Sequence, residues 1–182
     1  MSARIGLAEI QKCDGLNIRF RPVEPTDVAY LQQLRCDPLY GKHLSPAAAS
    51  VEAQRTWLEG YKGRAEQGLE SYFIIERTDG QPCGTMRIYN VTETEATWGS
   101  FILDSAKPAK AALHALLLVH RIIFGVLGKQ CAFFDVRKQN ERALALYLRF
   151  GPTEIDKDEL NIYFRLTNRE FAKIDAALSR AL

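Results

Sequence analysis

Apolar and polar positions change period several times along this chain, and each change marks an element. From Leu16 to Val23 they alternate, with Ile18 and Phe20 on one side and Arg19 and Arg21 on the other, which is the period of a half-buried strand. Pro22 and Pro25 end it. Thr26 is placed to cap a helix whose Val28, Leu31 and Leu34 form one apolar stripe, and Asp37-Pro38 stops that helix. Tyr40 to Ala49 reads as loop. Ser50 is placed to cap a second helix, which carries Trp57, Leu58, Tyr61 and Ala65 on one face and closes at Gly68. Strands follow at Ser71 to Arg77 and Pro82 to Asn90, joined by Thr78-Asp79-Gly80-Gln81, whose Asp-Gly pair signals a hairpin. A polar turn at Val91 to Thr94 leads into a strand from Glu95 to Leu103.

The second half continues the alternation of element types. A helix from Pro108 to Leu127 shows Leu113, Leu116, Leu117, His120, Ile123 and Phe124 at helical spacing, with Gly125 and Gly128 near its end. A strand at Cys131 to Val136 follows, then a helix opened by Asn140 and stopped at Gly151. A short strand and a longer one at Leu160 to Leu166 come next. Thr167-Asn168-Arg169-Glu170 then forms a capping-box pattern ahead of a final helix with Phe171, Ile174 and Leu178. The order β-α-α-β-β-β-α-β-α-β-β plus a terminal helix predicts a mixed α/β (α+β) fold with a mainly antiparallel central sheet flanked by helices. No repeat or low-complexity linker interrupts it. Residues 1–182 therefore read as one domain, with 1–15 as an N-terminal arm and 167–182 as a C-terminal helix.

Composition narrows the function classes. The 182 residues are 47% apolar and 25% charged, an ordinary globular balance. Lys plus Arg number 24 against 22 Asp plus Glu, and no basic block stands out, which argues against nucleic acid as the main partner. Cys13, Cys36, Cys83 and Cys131 are scattered, with no pair at metal-ligand spacing, so no metal is expected. With no secretory pattern at the start, the thiols suit a reducing, cytoplasmic setting. The most apolar stretch, Ala111 to Leu127, contains His114, His120 and Arg121 and is expected to be a core helix, not a membrane span.

Candidate chemistry gathers between Glu95 and Gly151. The loop Lys107-Pro108-Ala109-Lys110-Ala111-Ala112 joins a strand to a helix start, where unpaired N–H groups and a partial positive charge favour pyrophosphate. Lys107 and Lys110 would add cations, while Ala111 and Ala112 would let a phosphate come close. Asn140 sits where an N-cap belongs, and in a ligand site its amide would also face the sheet's edge. Tyr147 lies about two turns further on, with a phenol that needs a partner. A phenol titrates near ~10 and a CoA-like thiol near ~8.5, and a positioned tyrosine can protonate a departing thiolate. For the proton that an amine must lose, Glu95 is the leading acceptor, with Glu93, Asp104 and His43 as rivals. Each feature also has an ordinary reading: a solvated helix start, a simple cap, a core aromatic, a strand-end charge.

Together these residues resemble the GNAT superfamily of acyl-CoA-dependent N-acyltransferases, over nearly the whole length from about Leu16 to Leu166. Phe20-Arg21-Pro22-Val23-Glu24-Pro25-Thr26-Asp27 is similar to the opening of the branch that includes ribosomal-protein alanine acetyltransferases. Gly84-Thr85-Met86-Arg87 looks like the family's third strand. Asn140 to Tyr147, ending at Phe150-Gly151, matches its second CoA motif. The family's pyrophosphate loop usually reads Gln or Arg, two residues, Gly, one residue, then Gly or Ala; Lys107, Lys110 and Ala112 occupy those slots here. Its amides can still bind phosphate provided that Lys110 stays helical.

The resemblance implies direct attack of an amine on the acetyl-CoA thioester, with CoA held by Leu103, Lys107, Lys110, Ala111, Ala112, Asn140 and Tyr147. It further implies a splay between the strands ending near Leu103 and Val136, with backbone N–H groups polarising the thioester carbonyl. Leu160 to Phe171 looks similar to enzymes that acetylate amino groups on nucleotide-linked sugars, whereas the opening looks like protein N-terminal acetyltransferases. Both acceptors stay open, as does a GNAT fold kept as a binding module without acetyl transfer. The terminal helix packs in cis or makes a homodimer contact.

Overall fold

The computed structural model describes residues 16–40 and 50–178; the expected arm at 1–15, most of the loop after Tyr40 with His43, and the last four residues lie outside them. Seven strands form one sheet: β1 (Ile18–Pro22), β2 (Ser71–Arg77), β3 (Pro82–Tyr89), β4 (Glu95–Leu103), β5 (Cys131–Arg137), β6 (Thr153–Lys157) and β7 (Asn161–Thr167). Five helices complete the fold: α1 (Val28–Cys36), α2 (Val51–Glu66), α3 (Ala111–Arg121), α4 (Glu141–Leu148) and α5 (Asn168–Leu178). The sheet order is β1-β2-β3-β4-β5-β7-β6, and every neighbouring pair is antiparallel except β4 with β5. This is the mixed, mainly antiparallel architecture that the periodicity predicts. Among the described residues no helix is long and apolar enough to cross a membrane.

Strand alternation sorts side chains into two layers. Phe20, Phe73, Met86, Ile88, Trp98, Ala132, Phe134 and Phe164 turn to one face, where α3, α4 and α5 cover them with Leu116, Tyr147, Phe150 and Phe171. Tyr72 and Ile74 turn to the other face and meet Val28, Leu31, Leu58 and Tyr61 from α1 and α2. Each such fully buried large side chain contributes about 1.5–3 kcal/mol relative to exposure. Helices thus cover one face broadly but the second face only over its β1–β3 half.

Three boundaries differ from the sequence expectations. Thr26 is not the cap of the first helix: a 3-10 turn at Pro25–Asp27 precedes α1, and the Glu24 N–H donates to Asp27 Oδ2 at 2.7 Å. Arg21 explains the preference, because its guanidinium grips both Asp27 carboxylate oxygens at 2.7 and 2.9 Å. Burial works to raise that carboxyl, but these hydrogen bonds outweigh it and hold it below the usual range. The central helix begins at Ala111 and not at Pro108, since Lys110 is left-handed at φ 61°. At its far end it widens into a π turn at Ile122–Val126, with the Leu127 N–H donating to the Ile122 carbonyl at 2.8 Å.

β3 and β4 approach unusually closely at Gly84. A Cβ there would lie 2.2 Å from the Ile102 carbonyl oxygen and 2.8 Å from Leu103 Cδ2, so only glycine fits. Gly84→Ala is expected to lower stability by about 2 kcal/mol, a fall of roughly 4–8 °C in Tm. A thermal melt unchanged by this substitution would refute the close approach.

Candidate active site

The one parallel pair of strands is also the least complete. β4 and β5 pair only through Glu95 with Cys131, Ala96 with Ala132 and Thr97 with Phe133, although β4 runs on to Leu103 and β5 to Arg137. Beyond those pairs the strands part into a wedge. Its closed end is tied by the Thr94 carbonyl, which accepts from the Gln130 and Cys131 N–H groups at 2.7 and 3.2 Å. Trp98 and Phe134 still stack across it, with ring centroids 4.6 Å apart, and Tyr147 meets both rings edge-on at 5.1 and 5.6 Å.

A bulge shapes the β4 wall. Thr85 pairs with Ile102 but Arg87 pairs with Gly99, so Met86 faces both Ser100 and Phe101. Ser100 is left-handed at φ 50°, and its carbonyl accepts from the Thr85 hydroxyl at 2.8 Å. A bulge turns a backbone group out of the ladder and bends its strand. This bulge was not among the expectations from sequence, although a Gly-Ser pair inside a strand pattern carries its signal.

Helix starts form the two rims. At α3 the Ala111 N–H is used by the Pro108 carbonyl and the His114 N–H by the Lys110 carbonyl, at 3.2 and 3.0 Å. Ala112 and Leu113, between them, keep amides with no acceptor among the described residues, and these fit an anionic ligand. Lys110 does not meet the condition set by the sequence. It is left-handed instead of helical, because the chain must turn sharply from β4 into α3, and this is the slot where the family usually has glycine. Both lysines are exposed, and Lys107 Nζ donates to the Asp104 carbonyl at 3.1 Å. At α4, Asn140 is the expected N-cap: its Oδ1 accepts from the Ala143 N–H at 3.2 Å, and its Nδ2 has no partner among the described residues.

Tyr147 lies beneath the wedge with only 7% of its surface exposed. Burial, and then the charge of Asp135, push its phenol well above the usual tyrosine range. The hydroxyl thus keeps its proton as a donor. Glu95 is exposed at the closed end of the wedge, roughly 25 Å along β4 from Leu103. Of its rivals, Glu93 is exposed in the preceding turn, and His43 lies outside the described residues. The Asp104 carboxylate is committed, accepting from the Tyr30 hydroxyl and the Ala106 N–H, each at 2.8 Å. His120 is structural: its Nε2 accepts from the Trp98 indole at 3.1 Å, and burial lowers its pKa to about 4.

A model of the acetyltransferase (GNAT) domain family matches residues 17–153. The chain belongs to the GNAT acetyltransferase family. Members of this family are acyl-CoA-dependent N-acyltransferases, and the fold agrees. The apo structure of FdhC, a nucleotide-linked sugar GNAT, is similar at 31% identity and a TM-score of 0.82, covering 90% of this chain and 94% of its own. Spermidine N-acetyltransferase from Vibrio cholerae, in complex with CoA and spermine, superposes with a TM-score of 0.71 at 16% identity, covering 86% of this chain and 98% of its own. RimJ from Mycobacterium smegmatis, in complex with CoA-disulfide, superposes with a TM-score of 0.72 at 20% identity, covering 90% of each chain. A search of curated protein sequences finds no match.

The left-handed Lys110 generates a test. A non-glycine residue there costs about 1–2 kcal/mol, partly offset by the greater unfolded-state freedom of glycine. Lys110→Gly is expected to stabilise the protein by about 0.5–1 kcal/mol, read in a thermal melt, without weakening CoA binding. A loss of affinity would mean that the lysine side chain itself holds phosphate.

Proposed function

We propose that this GNAT enzyme moves an acetyl group from acetyl-CoA to a primary amine by direct attack, with an amino-sugar nucleotide as the acceptor. The wedge between β4 and β5, with a helix start at each rim, carries this reading. Its likeness to FdhC, at 31% identity over 90% of this chain, supports the acceptor class. In this reading the amides of Ala112 and Leu113, which have no acceptor among the described residues, hold the pyrophosphate; Lys107 and Ala111 flank them, and Lys110 contributes its left-handed turn and not its side chain. Leu103 and Asn140 line the pantetheine path. The Ser100 bulge turns a backbone group toward the thioester carbonyl.

Positioning supplies most of the rate, because the attack needs two substrates aligned and no covalent enzyme intermediate. Tyr147 stays protonated in its aromatic surround and gives its proton to the departing sulfur. A peptide N-terminus is the competing acceptor, motivated by the strand and turn at Phe20 to Asp27. Among the described residues Cys83 and Cys131 are free thiols, which supports a reducing, cytoplasmic setting.

Calorimetric titration with acetyl-CoA, with desulfo-CoA as control, is expected to show micromolar binding. No binding would favour the binding module over the enzyme. Tyr147→Phe is then expected to reduce kcat roughly 100-fold while acetyl-CoA affinity changes little. Unchanged turnover would remove the acid role of Tyr147.

A further inference from the structure

The second face of the sheet, where α1 and α2 stop, holds a carboxylate that the sequence analysis did not single out. Cross-strand pairing sets its neighbours. One row runs Tyr89, Thr97, Phe133 and Arg165 across β3, β4, β5 and β7. The row two residues further along holds Arg87 with Gly99 on one side and Asp135 with Tyr163 on the other. Continuing the β4–β5 register, Trp98 meets Phe134, whose rings still touch, and Gly99 then faces Asp135. This is the first level at which no ladder pair or stacked ring spans the wedge. Gly99 has no side chain to fill the gap, and a Cβ there would come 3.2 Å from Tyr89 Oη. The phenol of Tyr89 therefore lies across Gly99 on one lip of the opening, and Asp135 stands on the other.

We propose that Asp135 is the general base that takes the proton from the attacking amine, with Tyr89 framing the amine from the facing lip. The inference rests on acetyl transfer as read above. The amine nitrogen bonds to the thioester carbon, and its extra proton passes to the Asp135 carboxylate. The carbon–sulfur bond then breaks with its electron pair on sulfur, which takes the Tyr147 proton. The proton held by Asp135 returns through solvent to the Tyr147 phenolate, leaving amide and thiol.

The surroundings suit this role. Asp135 is reachable by solvent, yet the packed walls of the notch raise its carboxyl above the usual range; nearby Asp158 adds to this and Arg137 opposes it. Burial chiefly raises the phenols of Tyr147 on α4 and Tyr89 on β3, and the hydrogen bond to Asp158 chiefly raises that of Tyr163 on β7; the Asp135 charge adds to all three. Arg87, opposite Gly99, brings a guanidinium that disfavours an ammonium and so favours the neutral nucleophile. It is held there by the Glu70 carboxylate and by the rings of Trp57 and Tyr89, 5.0 and 4.9 Å from it.

The test compares wild type, Asp135→Asn and Asp135→Glu with acetyl-CoA and a panel of amino-sugar nucleotides, following thiol release against pH. Glu95→Gln is measured beside them. Asp135→Asn is near-isosteric on an accessible strand position, so its melting curve and acetyl-CoA affinity should match wild type. Its kcat/KM is expected to fall 100-fold or more at neutral pH. That deficit should shrink as pH rises, because hydroxide then takes the proton that the missing carboxylate no longer accepts. Asp135→Glu should recover part of the loss. Asp135→Asn activity within threefold of wild type, a deficit independent of pH, or a loss confined to Glu95→Gln would each overturn the proposal while leaving acetyl transfer standing. An inactive wild type would overturn the transfer reading and the base assignment with it.

Discussion

Everything at this site depends on a ladder that stops early. β4 and β5 share only the pairs from Glu95–Cys131 to Thr97–Phe133, and six further residues of β4 continue without β5. Backbone N–H and C=O groups need partners, so strands that part expose polar groups to whatever enters between them. Two devices hold the strands apart. The Ser100 bulge bends β4 while the Thr85 hydroxyl secures its carbonyl, and Trp98, Phe134 and Tyr147 fill the floor of the wedge with interlocked rings. Closing the gap would mean repacking that aromatic floor, and a dense interior resists such changes.

The rims follow from the same geometry. A strand that leaves the sheet and enters a helix must turn sharply, and the turn falls on Lys110. Its left-handed backbone stores about 1–2 kcal/mol that the surrounding fold must offset. That turn leaves the amides of Ala112 and Leu113 without acceptors among the described residues. Asn140 does the same work on the opposite rim with no strain, since capping is its ordinary role.

The second face of the sheet is covered only in part. α1 and α2 stop over β3, and Glu70, only 4% exposed, gathers Arg64 and Arg87 at that border. The cation therefore sits at the edge of the covered half, with Trp57 stacked upon it and the open half before it. A buried carboxylate tied to two arginines keeps Arg87 in one place, so the position of this charge is set by the fold and not by a mobile side chain.

Much of this was legible in the residues themselves. Period-two and period-3.6 patterns name the element types in their right order, because burial of one face imposes its period directly on the chain. Asn140 could be read as a cap from its place before Glu141, and Tyr147 as buried from its spacing to Ala143 and Leu144. Thr26 misled because the competing contact, Arg21 reaching Asp27, joins a strand to a turn that local preference does not describe. Lys110 misled because αL geometry at a lysine answers to the turn and not to the residue. The place of Asp135 across the wedge from Gly99, two positions beyond the last β4–β5 pair, lay beyond any local pattern. Those residues are far apart in sequence, and only the β4–β5 register, set by packing of the whole sheet, makes them neighbours.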